Sequence, residues 1–324
     1  MKPRIGFLGV GWIGRNRMEA MIATGAIEAV AIADPSAEMA SEAAKLAPGA
    51  AVVDGLDAML AMGLDGVVIA TPSALHADQS IRALEAGVAV FCQKPLGRDA
   101  AEAARVVAAA QAADRLLGVD FSYRHTTGMV AVAKLVRSGA LGRVFAADLV
   151  FHNAYGPDRA WFYDRARSGG GCVMDLGVHL VDLALWTLGA DAAEKVDAQL
   201  FAGGAALSGD AVEDYAIAQM RVADAAVRLA CSWRLNAGVD AEIGATFYGT
   251  EGGASFRNVG GSFYDFEATR FRGTAREVLS QGPEEWGGRA AANWARRLAK
   301  GARFDPAAAE IVAVARVLDA VYAG

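Results

Sequence analysis

The chain of 324 residues is long enough for two domains, each able to bury its own core. A formal net charge of −6 without a basic cluster argues against nucleic acid or an anionic membrane as a partner. The three cysteines, Cys92, Cys172 and Cys231, form neither a disulfide framework nor a metal-ligand spacing, so reduced thiols in the cytoplasm are the expected state.

The first residues enter a strand with no signal peptide, twin-arginine leader or membrane-length apolar run ahead of it, which predicts a soluble cytoplasmic protein. Residues 4–34 read as a short apolar run, a glycine cluster, a helical stretch and a second apolar run ending in Asp34, the pattern of a βαβ unit. Gly9, Gly11 and Gly14 form G-x-G-x-x-G at the end of the first strand. That spacing permits a tight turn, close approach of a pyrophosphate and close helix-to-strand packing; a purely structural turn would use the same residues. The strand before, the helix after and the acid at ribose distance favour a dinucleotide. A carboxylate at Asp34 repels a 2′-phosphate, and Pro35 and Ser36 offer no cation, so NAD is expected over NADP.

Alternation then continues: a helix over 36–47, a strand near Ala51, a helix over 56–62, a strand at Gly66 to Ala70, a helix over 74–86, a strand at Val88 to Cys92, a helix over 99–113 and a strand at Leu116 to Asp120. Short apolar runs alternating with helices predict a doubly wound parallel sheet covered on both faces, with ligands beyond the carboxyl ends of its strands. The first domain is therefore placed at residues 1–121. Thr71-Pro72-Ser73 and Gln93-Lys94-Pro95 follow two of those strands at the ligand edge. Lys94 is either a surface charge reaching water or a functional cation where a nicotinamide would lie; the following proline, which fixes the backbone, favours the second.

Residues 122–324 predict a second, α+β domain. A helix over 127–138 precedes a long strand near Val144 to His152, a polar aromatic loop and an apolar helix from Cys172 to Leu188. On that helix Asp175, His179 and Asp182 fall at offsets of four and three, hence on one face. Buried ionisable groups must be paired, liganded or used. Three readings stand: a core histidine held between aspartates, a metal site, or an acid/base pair in which Asp175 orients His179. Only four histidines occur and no H-E-x-x-H or paired-cysteine motif accompanies them, which disfavours a metal. Strand-like segments from about Asp197 to Tyr264 predict an open, mainly antiparallel sheet. Helices over 286–300 and 306–322 close the chain, the last placed to return to the first domain.

The pieces GVGWIG at 9–14, TPSALH at 71–76, KP at 94–95, YR at 123–124 and GGGCVMDLGVHLVDLALW at 169–186 together resemble the glucose-fructose oxidoreductase, inositol dehydrogenase and rhizopine-catabolism family over essentially the whole length. The resemblance implies a Rossmann domain followed by an open antiparallel sheet domain whose face mediates dimerisation in many members, so a homodimer or homotetramer is expected. It implies cofactor contacts from Gly9, Gly11, Trp12, Ile13, Gly14, Asp34, Thr71, Pro72, Ser73, His76, Gln93 and Lys94. The catalytic group would be Lys94, Asp175 and His179, with Arg124, Asn153 and Trp161 joining Asp175 and His179 at the substrate. His152, Tyr155 and Tyr163 add polar and aromatic groups on the same strand and loop.

The implied reaction is hydride transfer between a secondary alcohol of a sugar, cyclitol or polyol and the nicotinamide, with no metal. Reduction of a ketose, anhydrosugar or diketone, NAD-dependent glycoside hydrolysis, and a non-catalytic nucleotide-sensing regulator are the alternatives. One departure stands out: the family usually has glutamate before Lys-Pro, and this chain has Gln93. The change removes a charge beside Lys94 and bears on rate and substrate range more than on reaction type.

Overall fold

The first strand, β1 (Arg4–Leu8), is buried along all but its first residue, as expected for the centre of a sheet covered on both faces. The structure, a computed structural model, describes residues 1–324 and divides into two units: Met1–Ser122 with Gly287–Val312, and Tyr123–Trp286 with Ala313–Gly324. In the first unit β1 is followed by α1 (Trp12–Ala23), β2 (Glu28–Ala33), α2 (Ala37–Ala44), β3 (Ala51–Val52), α3 (Leu56–Leu60), β4 (Gly66–Ile69), α4 (Ser73–Glu85), β5 (Ala89–Cys92), α5 (Ala100–Ala113) and β6 (Leu117–Val119). The six strands pair in parallel in the order β3-β2-β1-β4-β5-β6, the doubly wound arrangement read from the alternation. Ser36 and Asp99 cap α2 and α5 by accepting from Met39 and Glu102 N–H, which starts each helix where its apolar face begins.

The second unit runs through α6 (Thr127–Arg137), β7 (Val144–Asn153), the short α7 (Arg165–Ser168), a π-helical turn at Val173–Gly177 and α8 (Val178–Leu188). Then come β8 (Glu194–Ala202), β9 (Ala205–Ala206), β10 (Tyr215–Val222), β11 (Ala225–Ser232), β12 (Ala241–Gly249), β13 (Gly253–Asn258), β14 (Phe266–Arg272) and β15 (Ala275–Gln281). They form a nine-stranded sheet, β15-β14-β13-β12-β7-β11-β10-β8-β9, antiparallel except where β7 runs parallel to β11. Buried and exposed residues alternate along much of β10, as in a half-covered antiparallel strand, and α6 and α8 pack on the sheet. α8 is apolar all round and almost wholly buried. The stretch from Arg165 to Leu188 has the length and hydropathy of a membrane span, but 83% of its apolar window is buried inside the protein, so it is a core helix.

After β15 the chain forms α9 (Arg289–Ala299) and α10 (Ala309–Ala323). The expectation was that the last helix would return to the first domain. Residues Gly287–Val312, carrying α9 and the first turn of α10, belong to the first unit, and the remainder of α10 belongs to the second. The reason is Trp294 on α9. Its ring lies in the core beside Phe91, ring centroids 5.9 Å apart, and fills space left open by glycines. A Cβ at Gly66 or at Gly118 would stand 2.7 Å from the indole.

Candidate active site

In the first unit the glycine loop joins β1 to α1. Gly9 has φ +81°, and a Cβ there would stand 2.6 Å from Ala70 O; at Gly14 a Cβ would stand 2.0 Å from Gly9 O. Both glycines are required by the protein's own packing. Gly11 differs. It caps α1 at φ −57°, and a Cβ on it would meet nothing within 4 Å. Its missing side chain leaves open the space over the first N–H groups of α1, where a pyrophosphate fits. The acid at the end of β2 braces the same loop: Asp34 Oδ2 accepts from Val10 N–H at 2.8 Å and Oδ1 from Ser36 N–H at 2.9 Å. Each carboxylate oxygen retains a lone pair, and the side chain is half-buried, so a ribose hydroxyl can still reach it. The residues present therefore fit a dinucleotide. Trp12 is 59% exposed and Ile13 half-buried beside this loop.

Beyond β4 and β5, two loops lie under one histidine. The buried His76 ring has Nδ1 2.7 Å from Pro95 O and Nε2 2.6 Å from Thr71 O. Burial pushes this imidazole below its ordinary pKa, against the pull of the two carbonyls. With its nitrogens turned to backbone carbonyls, His76 links the Thr71 loop to the Lys94 loop. Thr71 spends its hydroxyl on Gln79 Oε1 at 2.7 Å, Pro72 stands at the N-cap of α4, and Ser73 is buried in its first turn. The Lys94–Pro95 bond is cis, and Lys94 is half-buried. Gln93 Nε2 donates to Asp120 Oδ2 at 2.6 Å, and the same oxygen accepts from Arg17 Nε at 2.6 Å.

In the second unit, Asp175 lies in the π-helical turn and His179 in the first turn of α8. The expected uninterrupted α-helix from Cys172 is corrected here: the wider turn rotates Asp175 relative to α8, a distortion frequent at functional sites. Asp175 and Asp182 take different partners. Asp175 Oδ2 accepts from Trp233 Nε1 at 3.1 Å. Asp182, 1% exposed, accepts from Arg124 Nε at 2.9 and 3.0 Å and from Nη2 at 2.5 Å. The Arg124 guanidinium, expected at the substrate, is thus held in a partly buried ion pair with its fork on the carboxylate. His179 is buried, with the Tyr123 ring edge-on to it at 4.9 Å.

Around Trp233 lie further aromatics: Phe162 at 6.2 Å and Tyr163 at 5.6 Å between ring centroids, with Trp161 stacked on Phe162 at 3.8 Å. Asn153 ends β7, and its Oδ1 is buried without a partner in the protein. His152 Nδ1 lies 2.8 Å from Ser232 Oγ and the ring stacks on Tyr215; Tyr155 donates to Asp240 Oδ1 at 2.6 Å.

The sequence reading overlooked the buried acid that anchors this turn. Glu213 Oε1 accepts from Gly171 N–H and Val173 N–H at 2.9 Å and from Tyr322 O–H at 2.8 Å. Burial pushes its carboxyl above the ordinary range, against the pull of those donors. The glycine run before the turn exists to admit these groups: a Cβ at Gly170 would stand 1.9 Å from Tyr322 Oη, and one at Gly171 2.0 Å from Glu213 O. The available signal was an acid two residues before the strand-like YAIAQMRV. Asp120 was equally legible as an acid at a strand end, but nothing local names Arg17 as its partner. All three thiols are buried, Cys231 Sγ lies 3.8 Å from Cys172 Sγ, and burial pushes Cys92 up to about 12.

Comparison with known proteins agrees with this geometry. Residues 3–121 match the family model described as an oxidoreductase family with an NAD-binding Rossmann fold, and residues 129–255 match the GFO/IDH/MocA C-terminal domain. The chain is 30% identical to 1,5-anhydro-D-fructose reductase of Ensifer adhaerens over 262 residues, 79% of this chain and 76% of that one. It is 30% identical to inositol 2-dehydrogenase of Rhodococcus erythropolis over 320 residues, 89% of this chain and 90% of that one. Among solved structures, a protein of gentamicin A biosynthesis in complex with NAD superimposes with a TM-score of 0.82 at 25% identity, covering 99% of this chain and 93% of that one. Other solved neighbours carry NADH or NADP.

Proposed function

The chain belongs to the GFO/IDH/MocA oxidoreductase family, and from that premise we propose that it transfers hydride between a secondary alcohol of a sugar, cyclitol or related polyol and NAD. The observation that carries the sugar reading is the setting of Asp175: a carboxylate held by the Trp233 indole N–H among the rings of Phe162 and Tyr163. Acceptors for hydroxyls beside aromatic faces suit a polyol, whose C–H faces stack while its hydroxyls donate. Asn153 Oδ1 offers a further acceptor, and Trp161 a further ring.

The glycine loop would hold the cofactor, Gly11 leaving space for its pyrophosphate and Asp34 accepting from its adenosine ribose. When bound, it supplies the hydride acceptor at nicotinamide C4. His179 takes the proton of the substrate hydroxyl, and Asp175 orients that imidazole or binds a neighbouring hydroxyl. Lys94 supplies a positive charge, which favours a developing alkoxide. Arg124 acts through Asp182, neutralising the one acid of α8 that takes no part in the chemistry. Asp34 favours NAD over NADP by repelling a 2′-phosphate.

The same residues catalyse the reverse step, and the kinship to an anhydrofructose reductase favours a ketose or anhydrosugar as the oxidised partner. A panel of polyols and aldoses with NAD, followed by NADH absorbance, together with 1,5-anhydro-D-fructose and NADH, tests both directions. NAD binding without turnover of any of them would leave a nucleotide-sensing protein instead. Release of an aglycone without net NADH would make it a glycosidase.

A further inference from the structure

Two donors from distant parts of the first unit converge on one oxygen. Arg17 Nε and Gln93 Nε2 each reach Asp120 Oδ2 at 2.6 Å, and all three side chains are buried, Asp120 to 1% exposure. Arg17 stands on α1, the helix whose first turn borders the glycine loop, and its Nη1 also donates to Asn16 Oδ1 at 2.7 Å. Gln93 immediately precedes Lys94. Asp120 immediately follows β6 and is fixed by its own N–H, which donates to Cys92 O at 3.0 Å. The cluster is neutral as it stands: one guanidinium, one carboxylate, one amide. A glutamate at 93 would bring a second carboxylate to the oxygen the amide now serves, with a single guanidinium for both. A buried charge left unpaired is strongly unfavourable, so a carboxylate at 120 demands an amide at 93.

We propose that Asp120 is a positioning residue that sets, through this one oxygen, both the helix bordering the dinucleotide loop and the loop carrying Lys94, and that Gln93 is the amide it requires. The proposal rests on the reading of Lys94 as a group facing substrate. It makes Gln93 and Asp120 one pair, with the buried carboxylate carried at 120.

The exchange itself is the test. Gln93→Glu alone adds a buried negative charge, and Asp120→Asn alone leaves Arg17 unpaired. Gln93→Glu with Asp120→Asn restores one carboxylate and one amide. Each single change is expected to weaken NAD binding and to lower kcat/KM by about tenfold or more, and the double change to return both to within roughly threefold of the parent. NAD binding by calorimetry needs no substrate, and kcat and KM are read separately on the same proteins. Losses that simply add in the double variant overturn the proposal.

Should Asp120→Asn fail to fold, Gln93→Leu, which removes the donor without adding charge, replaces it in the comparison. Gln93→Glu must then be the more damaging of the two, and equality or better overturns the proposal. Lys94→Ala measured beside them separates the two readings: full turnover there sinks the role of Lys94, whereas additivity in the exchange sinks that of Asp120.

Discussion

Alanine at Gly11 and alanine at Gly14 should have opposite consequences, although both remove a glycine from one motif. At Gly14 the new methyl carbon would stand 2.0 Å from Gly9 O, well inside van der Waals contact, so α1 must move away from β1. Overpacking of that kind costs roughly 3 kcal/mol or more. At Gly11 the methyl carbon meets no protein atom within 4 Å and the backbone is at φ −57°, so the fold loses about 1 kcal/mol or less, the difference between glycine and alanine as a helix cap. In the proposed function the open space there takes the pyrophosphate. Displacing a phosphate from even one charge-assisted N–H bond forfeits about 1.5–3 kcal/mol, which is roughly 10- to 150-fold in affinity. Thermal unfolding without ligand and calorimetric titration with NAD read the two effects apart. Gly11→Ala should unfold within a few degrees of the parent and bind NAD at least about tenfold more weakly. If it bound NAD as well as the parent does, the N-terminus of α1 would not be where the pyrophosphate sits.

Calorimetry with both dinucleotides should show NAD bound on the order of tenfold or more tighter than NADP, and Asp34→Ala should narrow that gap while weakening both, because Val10 and Ser36 N–H lose their acceptor; equal affinities in the parent would refute the assignment. Lys94→Ala and His179→Ala should each lower kcat by roughly a hundredfold with NAD affinity far less changed, and full activity in either would remove that residue from the mechanism. For Glu213 the sign is unusual. Its folded-state pKa is raised, so its ionisation opposes folding above that pKa; the penalty shrinks as pH falls through it and is gone below the unfolded value. Glu213→Gln, which keeps the acceptor, should therefore gain stability relative to the parent between acid and neutral pH, and a pH-independent difference in Tm would contradict this. Glu213→Ala, which strands two buried N–H groups, should cost about 3 kcal/mol.

Local order carried much of this protein. The βαβ opening, the glycine spacing, the acid after the second strand and the alternation through β6 are all set by neighbours in sequence, because strand period, helix caps and turn glycines act over a few residues. The kinship was equally legible in short motifs. What required tertiary structure is every interaction between residues far apart in the chain. Arg17 and Asp120 are separated by 103 positions, and Glu213 and Tyr322 by 109. No local pattern announces that Gly66 and Gly118 wait for a tryptophan from α9, or that Arg124 is bound to Asp182. The π-helical turn at Asp175 belongs to the same class: periodicity favours an unbroken α-helix there, and the wider turn appears where Glu213 holds its entry by the N–H groups of Gly171 and Val173. A buried polar group takes whichever partner the packed core brings to it, so its identity is readable in sequence and its partner only in the fold.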